Sequence, residues 1–128
     1  MEPIPAELDA IGRQVIDAAF KVHSTLGPGL LESIYERCLK RELEKRGFRV
    51  QRQVMVPIEY DGEIIDDGLR IDLLVEGQII VELKAVEKDN PLFKAQVITY
   101  LKLTKLRLGY LINFNVELIK EGMKRIVR

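Results

Sequence analysis

Asp72, Glu82 and Lys84 are charged residues set among apolar ones, in Arg70-Ile71-Asp72-Leu73-Leu74-Val75 and Ile80-Val81-Glu82-Leu83-Lys84-Ala85. An unpaired carboxylate in a low-dielectric core loses several kcal/mol of solvation, so each must pair, bind a metal or stand at an open strand end. Glu82 and Lys84 are two apart, so on a strand they share a face while Leu83 points away. Two carboxylates with the Leu83 backbone carbonyl form a hard oxygen set that suits Mg²⁺ or Mn²⁺ better than zinc. The chemistry such a set supports is metal-assisted phosphodiester hydrolysis. Asp72 and Glu82 would fix the metal, the metal would lower the pKa of a bound water, and Lys84 would orient that water or stabilise charge on the phosphate. The competing reading is a structural salt bridge, since paired core charges also satisfy burial.

Whether Asp72 joins the other two depends on the hairpin between the strands. A two-residue Glu76-Gly77 loop would set Asp72 against Val81 and turn it to the wrong side. Such a turn also wants positive φ, which Glu76 resists. A three-residue loop Val75-Glu76-Gly77 opposes Leu74 to Gln78 and brings Asp72, Glu82 and Lys84 to one face.

The elements that must hold this face follow from periodicity. From Glu7 to about Leu26, Leu8, Ile11, Val15, Ala18, Ala19 and Val22 recur at helical spacing, and Gly27-Pro28-Gly29 ends the run. A second helix is predicted from about Leu30 to Arg46 with Leu31, Ile34, Tyr35, Cys38, Leu39 and Leu43 inward, closed by Gly47. The period then changes to two. Val50 to Tyr60 reads as a long edge strand with Val50, Arg52, Val54, Val56, Ile58 and Tyr60 on one face, followed by an Asp61-Gly62 turn and a short strand around Ile64. Leu69–Val75 and Gln78–Lys84 read as central strands, apolar on both faces. Pro91 opens a helix carrying Phe93, Val97, Tyr100, Leu101 and Thr104. Leu108–Phe114 and a weak segment at Lys124–Val127 complete the strands.

An acid-x-Lys triplet is expected by chance more than once in a chain with 20 acidic residues and 10 lysines, so the weight lies in its placement on an apolar strand. Other residues add context. Gly29-Leu30-Leu31-Glu32-Ser33-Ile34-Tyr35 spells GxxExxY, and the chain from about Val22 to Val127 resembles the family named for that motif, a branch of the PD-(D/E)xK nuclease superfamily. Matches extend through both strand segments to Gln96 and Tyr100 and to Leu111-Ile112-Asn113-Phe114. The resemblance implies an α/β (α+β) fold, a restriction-endonuclease-like αβββαβ core with an additional N-terminal helix and a mixed sheet. It also implies that Asp72, Glu82 and Lys84 match the metal and catalytic positions, Glu32 the helix carboxylate, with Glu32 an optional further metal ligand, and Gln96 and Tyr100 the QxxxY helix motif. Asn115 stands where that family has glycine, and Leu69 where an aromatic is common.

Glu32 and Tyr35 lie one helical turn apart, so the Tyr35 hydroxyl could aim Glu32 at the strand carboxylates. Gln96 and Tyr100, at i and i+4, suit contact with Lys84, a water or a phosphate. His23 is read as a packing residue, Gly27-Pro28-Gly29 as an interhelical turn, and Arg70 as an ion-pair partner.

The 128 residues carry 20 basic and 20 acidic groups, which fits one domain over 1–128 and argues against coating nucleic acid by bulk charge. The balance is local, however: Lys94–Arg128 holds eight basic and two acidic residues, a basic stretch that could contact phosphates. No apolar run approaches the ~18 residues of a membrane span. The lone Cys38 excludes an internal disulfide and is read as a buried apolar residue, so a cytoplasmic protein without membrane contact is expected. The reading is thus a Mg²⁺- or Mn²⁺-dependent nuclease acting on DNA or RNA, with a homodimer as a further option on so small a surface. The alternative is an inactive nucleic-acid- or protein-binding module on the same fold.

Overall fold

The apolar stripes of the first two helices close on one face of a sheet in the computed structural model, which describes residues 2–128. The chain runs α1 (Ala6–Leu26), α2 (Glu32–Lys45), β1 (Val50–Tyr60), β2 (Glu63–Val75), β3 (Ile79–Lys84), α3 (Pro91–Thr104), β4 (Leu108–Asn113), a 3₁₀ turn (Ile119–Gly122) and β5 (Met123–Val127). The strands lie in the order β1-β2-β3-β4-β5. All neighbours are antiparallel except β3 and β4, which are parallel and joined through α3, as a parallel pair requires a crossover. The order from α2 to β4 is the expected αβββαβ core. α1 precedes it and β5 adds an antiparallel edge.

Two apolar layers flank the sheet. Val15, Ala18, Tyr35, Leu39 and Leu43 pack with Leu73, Val81 and Leu83 on one side, while Val97 and Leu101 of α3 pack with Ile71, Ile80 and Leu111 on the other. α3 begins where its sequence places it: Pro91 occupies the first turn, and the Asn90 side chain accepts the Leu92 N–H at 2.9 Å. Among the described residues no helix is long and apolar enough to cross a membrane.

Several expectations change. α2 starts at Glu32, so Leu31 is a flanking residue at 73 % exposure, Ile34 is exposed, and Glu36 is buried in their place. Cys38 is only partly buried. The strand near Ile64 is continuous with Leu69–Val75, because Asp66, Asp67 and Gly68 bulge opposite Pro57, which has no N–H to offer the ladder. Gly68 is needed there: a Cβ would lie 2.2 Å from the Ile58 side chain.

β1 does not keep one face throughout. Val50 packs toward α1 and α2, but Val54, Val56 and Ile58 pack toward α3, and between them Gln53 takes φ of 55°. β2 switches in step, with Leu73 in the first layer and Ile71 in the second. In the β1–β2 register Gln53 stands across from Asp72, and this is the one pair missing between Val50 and Val56.

Candidate active site

The hairpin between β2 and β3 decides which side chains meet. Val75 faces Ile79, Leu74 faces Ile80 and Leu73 faces Val81, so the next positions in register are Asp72 and Glu82. The loop has three residues as expected, but it is Glu76-Gly77-Gln78, one residue later than Val75-Glu76-Gly77. A loop shifted by one residue moves the register by two, so the parity that brings Asp72 and Glu82 together is kept. Glu76 adopts φ of 53° after all. Its backbone N–H donates to the Arg49 carbonyl at 2.9 Å and its carboxylate accepts the Arg49 N–H at 2.6 Å, and these two bonds hold the strained residue.

At Asp72 and Glu82 side chains take over from the backbone ladder. The Asp72 N–H donates to Glu82 Oε1 at 3.1 Å, and the Leu83 N–H donates to Asp72 Oδ2 at 3.0 Å. Both residues are buried, at 8 % and 3 % exposure, and no basic side chain among the described residues lies within 4.0 Å of either carboxylate. Burial, and then the charge and hydrogen bond of neighbouring Asp72, push the Glu82 carboxyl up to about 8. Two carboxyl groups this close and this dry resist ionising together.

The pair opens into a cleft of about 560 Å³. Glu32 of α2, Lys84 of β3, and Gln96 and Tyr100 of α3 line the same cleft, with Arg70, Met55 and Asp67 at β2 and β1. The fold thus gathers all six side chains singled out from the sequence. Burial, then the charge of Asp72, raises the Glu32 carboxyl above its ordinary range. Lys84 makes no ion pair among the described residues; its ammonium lies 4.4 Å from the centre of the Phe93 ring, a cation–π contact. A structural salt bridge through Lys84 is therefore not what the strand pair forms. Gln96 Nε2 donates to the Tyr100 hydroxyl at 3.0 Å, tying the two into one polar unit on α3.

This fold and this gathering of residues coincide with a family model for the PD-(D/E)XK nuclease superfamily, which matches residues 9–126. The chain belongs to that superfamily. Comparison with curated proteins and with solved structures gives no significant match, so the family model carries the assignment. The helix–sheet order is that of the restriction-endonuclease-like fold, and PD-(D/E)XK nucleases generally use divalent metal ions. The donor chemistry fits such an ion. Asp72 and Glu82 each use one oxygen on a backbone N–H, no buried side-chain oxygen among the described residues lacks a partner, and so their second oxygens are shared between the two carboxyls or reach the cleft. A divalent cation would remove the repulsion that now favours a proton on Glu82. Among the described residues no three His, Cys, Asp or Glu side chains converge as a metal cage.

Other sequence readings find different places. The Tyr35 hydroxyl does not aim Glu32: it donates to the Gly27 carbonyl at 2.6 Å and accepts the Leu30 N–H at 3.0 Å, and its ring stacks on Phe114 at 4.7 Å. Tyr35 closes the Gly27-Pro28-Gly29 turn that presents α2. His23 is buried with Nε2 2.7 Å from the Val116 carbonyl, a packing role as expected. Arg70 forms no ion pair among the described residues and faces the cleft instead. Leu69, in place of an aromatic, is buried beneath α3. Asn115 needs no glycine conformation; its N–H donates to Asn113 Oδ1, which also holds the Val86 N–H after β3.

Phe93 and Glu36 went unnoticed as supports. Phe93 lies three residues before Gln96 on one face of α3, a spacing visible in the sequence. Glu36 lies one turn after Glu32, is 3 % exposed, forms an ion pair with Arg52 (Nε at 2.8 Å) and accepts a hydrogen bond from Gln53 Nε2 at 2.7 Å. Arg52 and Gln53 are adjacent and would point apart on a regular strand. The positive φ of Gln53 lets both reach Glu36, and it does so opposite Asp72.

Proposed function

We propose that this chain is a nuclease of the GxxExxY branch that hydrolyses phosphodiester bonds of DNA or RNA, with Mg²⁺ or Mn²⁺ held by Asp72, Glu82 and the Leu83 carbonyl. The observation that carries the reading is the facing pair of buried carboxylates without a cation partner, at the floor of an open cleft. The Leu83 N–H points to Asp72, and N–H and C=O of one strand residue point to the same neighbour, so the carbonyl is turned to that side too. A bound metal lowers the pKa of a water and polarises the phosphodiester. The side chains divide the remaining work. Glu32, its proton affinity raised by burial and Asp72, accepts a proton from the attacking water, and it needs no direct place in the ligand set. Lys84, with Phe93 fixing its ammonium, stabilises the charge that grows on the phosphate. The Gln96–Tyr100 unit offers hydrogen bonds to the substrate from the opposite wall.

Incubation with Mn²⁺ and linear or branched DNA and RNA tests this reading. Cleavage is expected, with both cleavage and calorimetric Mn²⁺ binding lost in Asp72→Ala. If every substrate stays intact and Lys84→Ala changes only stability, the chain is a binding module on a nuclease fold.

A further inference from the structure

A second concave surface, of about 450 Å³, lies along α2 and is lined by Arg37, Lys40, Arg41, Glu44 and Arg52. Two of its cations have partners: Lys40 lies 3.0 Å from Glu44, and Arg52 2.8 Å from buried Glu36. Arg37 and Arg41 have no carboxylate within 4.0 Å among the described residues. They stand at i and i+4 on one helix face, where like charges repel and weaken the helix. Two guanidinium groups with unused donors, converging on one concavity, form an arrangement that planar, doubly hydrogen-bonded phosphate oxygens complete.

The basic C-terminal stretch is less available than its charge count implies. Lys124 is paired with Asp89 and Arg125 with Asp9, while Arg107 donates to the carbonyls of Arg128 and Glu2. α2, by contrast, runs directly out of the active cleft. Glu32 stands at its first turn in that cleft; Arg37 and Arg41 follow at about 8 and 14 Å along the axis and at about 140° and 180° around it, on the flank turned away from the buried Tyr35, Leu39 and Leu43. Glu36, one turn after Glu32, is buried and met by Arg52 and Gln53, and Glu44 in the concavity is held by Lys40.

We infer that the Arg37–Arg41 cleft holds the phosphodiester backbone of the substrate outside the active cleft of Asp72 and Glu82. The inference rests on the nuclease reading and adds a second surface that grips the same strand.

Binding of labelled DNA and RNA duplexes of about 20 base pairs, followed by anisotropy in EDTA over a range of salt concentrations, tests it. For Arg37→Ala/Arg41→Ala the expected result is a loss of affinity of about tenfold or more near ~0.1 M salt. The log–log salt slope should shrink by about 2, since each phosphate contact contributes about 0.9. The double lysine variant should recover the slope, because it keeps the charge, but only part of the affinity. Melting temperatures of both variants should not fall below wild type, since the two side chains make no ion pair among the described residues and their mutual repulsion opposes the helix. The DNA and RNA arms show which backbone is held. A double alanine variant that binds like wild type, or an equal loss from Lys102→Ala/Lys105→Ala alone, overturns the cleft and leaves the nuclease reading standing. Wild type that binds neither duplex overturns both.

Discussion

Glu36 and Glu82 are equally buried, at 3 % exposure each, yet their surroundings are opposite. Glu36 sits between Arg52 and Gln53, a guanidinium that forms an ion pair with one of its oxygens and an amide that donates to the same oxygen. Glu82 faces another carboxylate, and the donors that meet the pair are the backbone N–H groups of Asp72 and Leu83. The nearest ammonium in the cleft, that of Lys84, is turned to an aromatic ring. A buried acid with its own cation is a tie between elements, here α2 to β1. Two buried acids without one keep an uncompensated charge that the fold must hold in place by other means, and the natural complement is a divalent ion.

The largest effect separates these two sites by activity. Asp72→Asn keeps the size of the side chain but removes a metal-binding charge, and should lower Mn²⁺-dependent cleavage by ~10³-fold or more. Glu36→Gln, at the other site, should leave the rate within about tenfold, since its partners do not touch the substrate. Equal losses from both would mean that the tie belongs to the chemistry. Next in size is Lys84→Met, which should cost ~10²-fold in kcat while the calorimetric Mn²⁺ affinity stays unchanged. A parallel loss of affinity would assign Lys84 to metal binding instead.

The same contrast explains what the sequence made legible. Asp72, Glu82 and Lys84 declared themselves because charge in a doubly apolar strand is costly, and strand parity is a counting argument that survived a loop displaced by one residue. The order of elements was also readable, since Pro91, Gly47 and the change of period mark ends locally. Gln53 was hidden. Val50 to Tyr60 reads as one strand whose apolar face is broken only by Arg52, and no Gly or Asn there announces a positive φ; the partner that Gln53 turns toward is Glu36, an acid buried on another element. Tyr35 was hidden for a related reason, because a motif tyrosine beside a motif glutamate looks like its partner until the turn carbonyl of Gly27 is seen to take the hydroxyl. Leu31 precedes the helix and so has no place on its inner face, while Ile34 falls outside the narrow arc set by Tyr35, Glu36, Leu39 and Leu43.

Stability against pH separates the two acids again, at a smaller scale. Glu82 rises from 4.5 to about 8 in the folded protein, so between about pH 5 and 8 the folded state keeps a proton that the unfolded state releases. Stability in EDTA should therefore fall as pH rises through this window and level off above it. Urea unfolding at several pH values measures the slope. Glu82→Gln should flatten it, and Mn²⁺ should restore stability to wild type at pH 8 but not to that variant. Glu36→Gln should keep the slope and lower the whole curve by roughly 2 kcal/mol, the loss of an ion pair with a half-exposed arginine and of the charged hydrogen bond from Gln53. A flat curve for wild type would show that the Asp72–Glu82 pair ionises freely, and the distinction drawn between the two sites would fail.

The smallest effect concerns what keeps Lys84 from behaving as Arg52 does. A lysine that shares a cleft with two buried carboxylates would ordinarily close on one of them, but the Phe93 ring offers its ammonium a competing face. Phe93→Leu removes that attraction and keeps most of the apolar volume, a loss of about 0.5–1 kcal/mol. Lys84 is then free to lean toward Glu82. The expected result is a drop of a few-fold in kcat, weaker Mn²⁺ binding as the lysine competes for the carboxylates, and a shallower pH slope in EDTA as the Glu82 proton becomes less favoured. These three shifts should occur together, because one cation moving a short way causes them all. A rate change without the other two would mean that Phe93 acts on the substrate, and that Lys84 is held away from the acids by the strand alone.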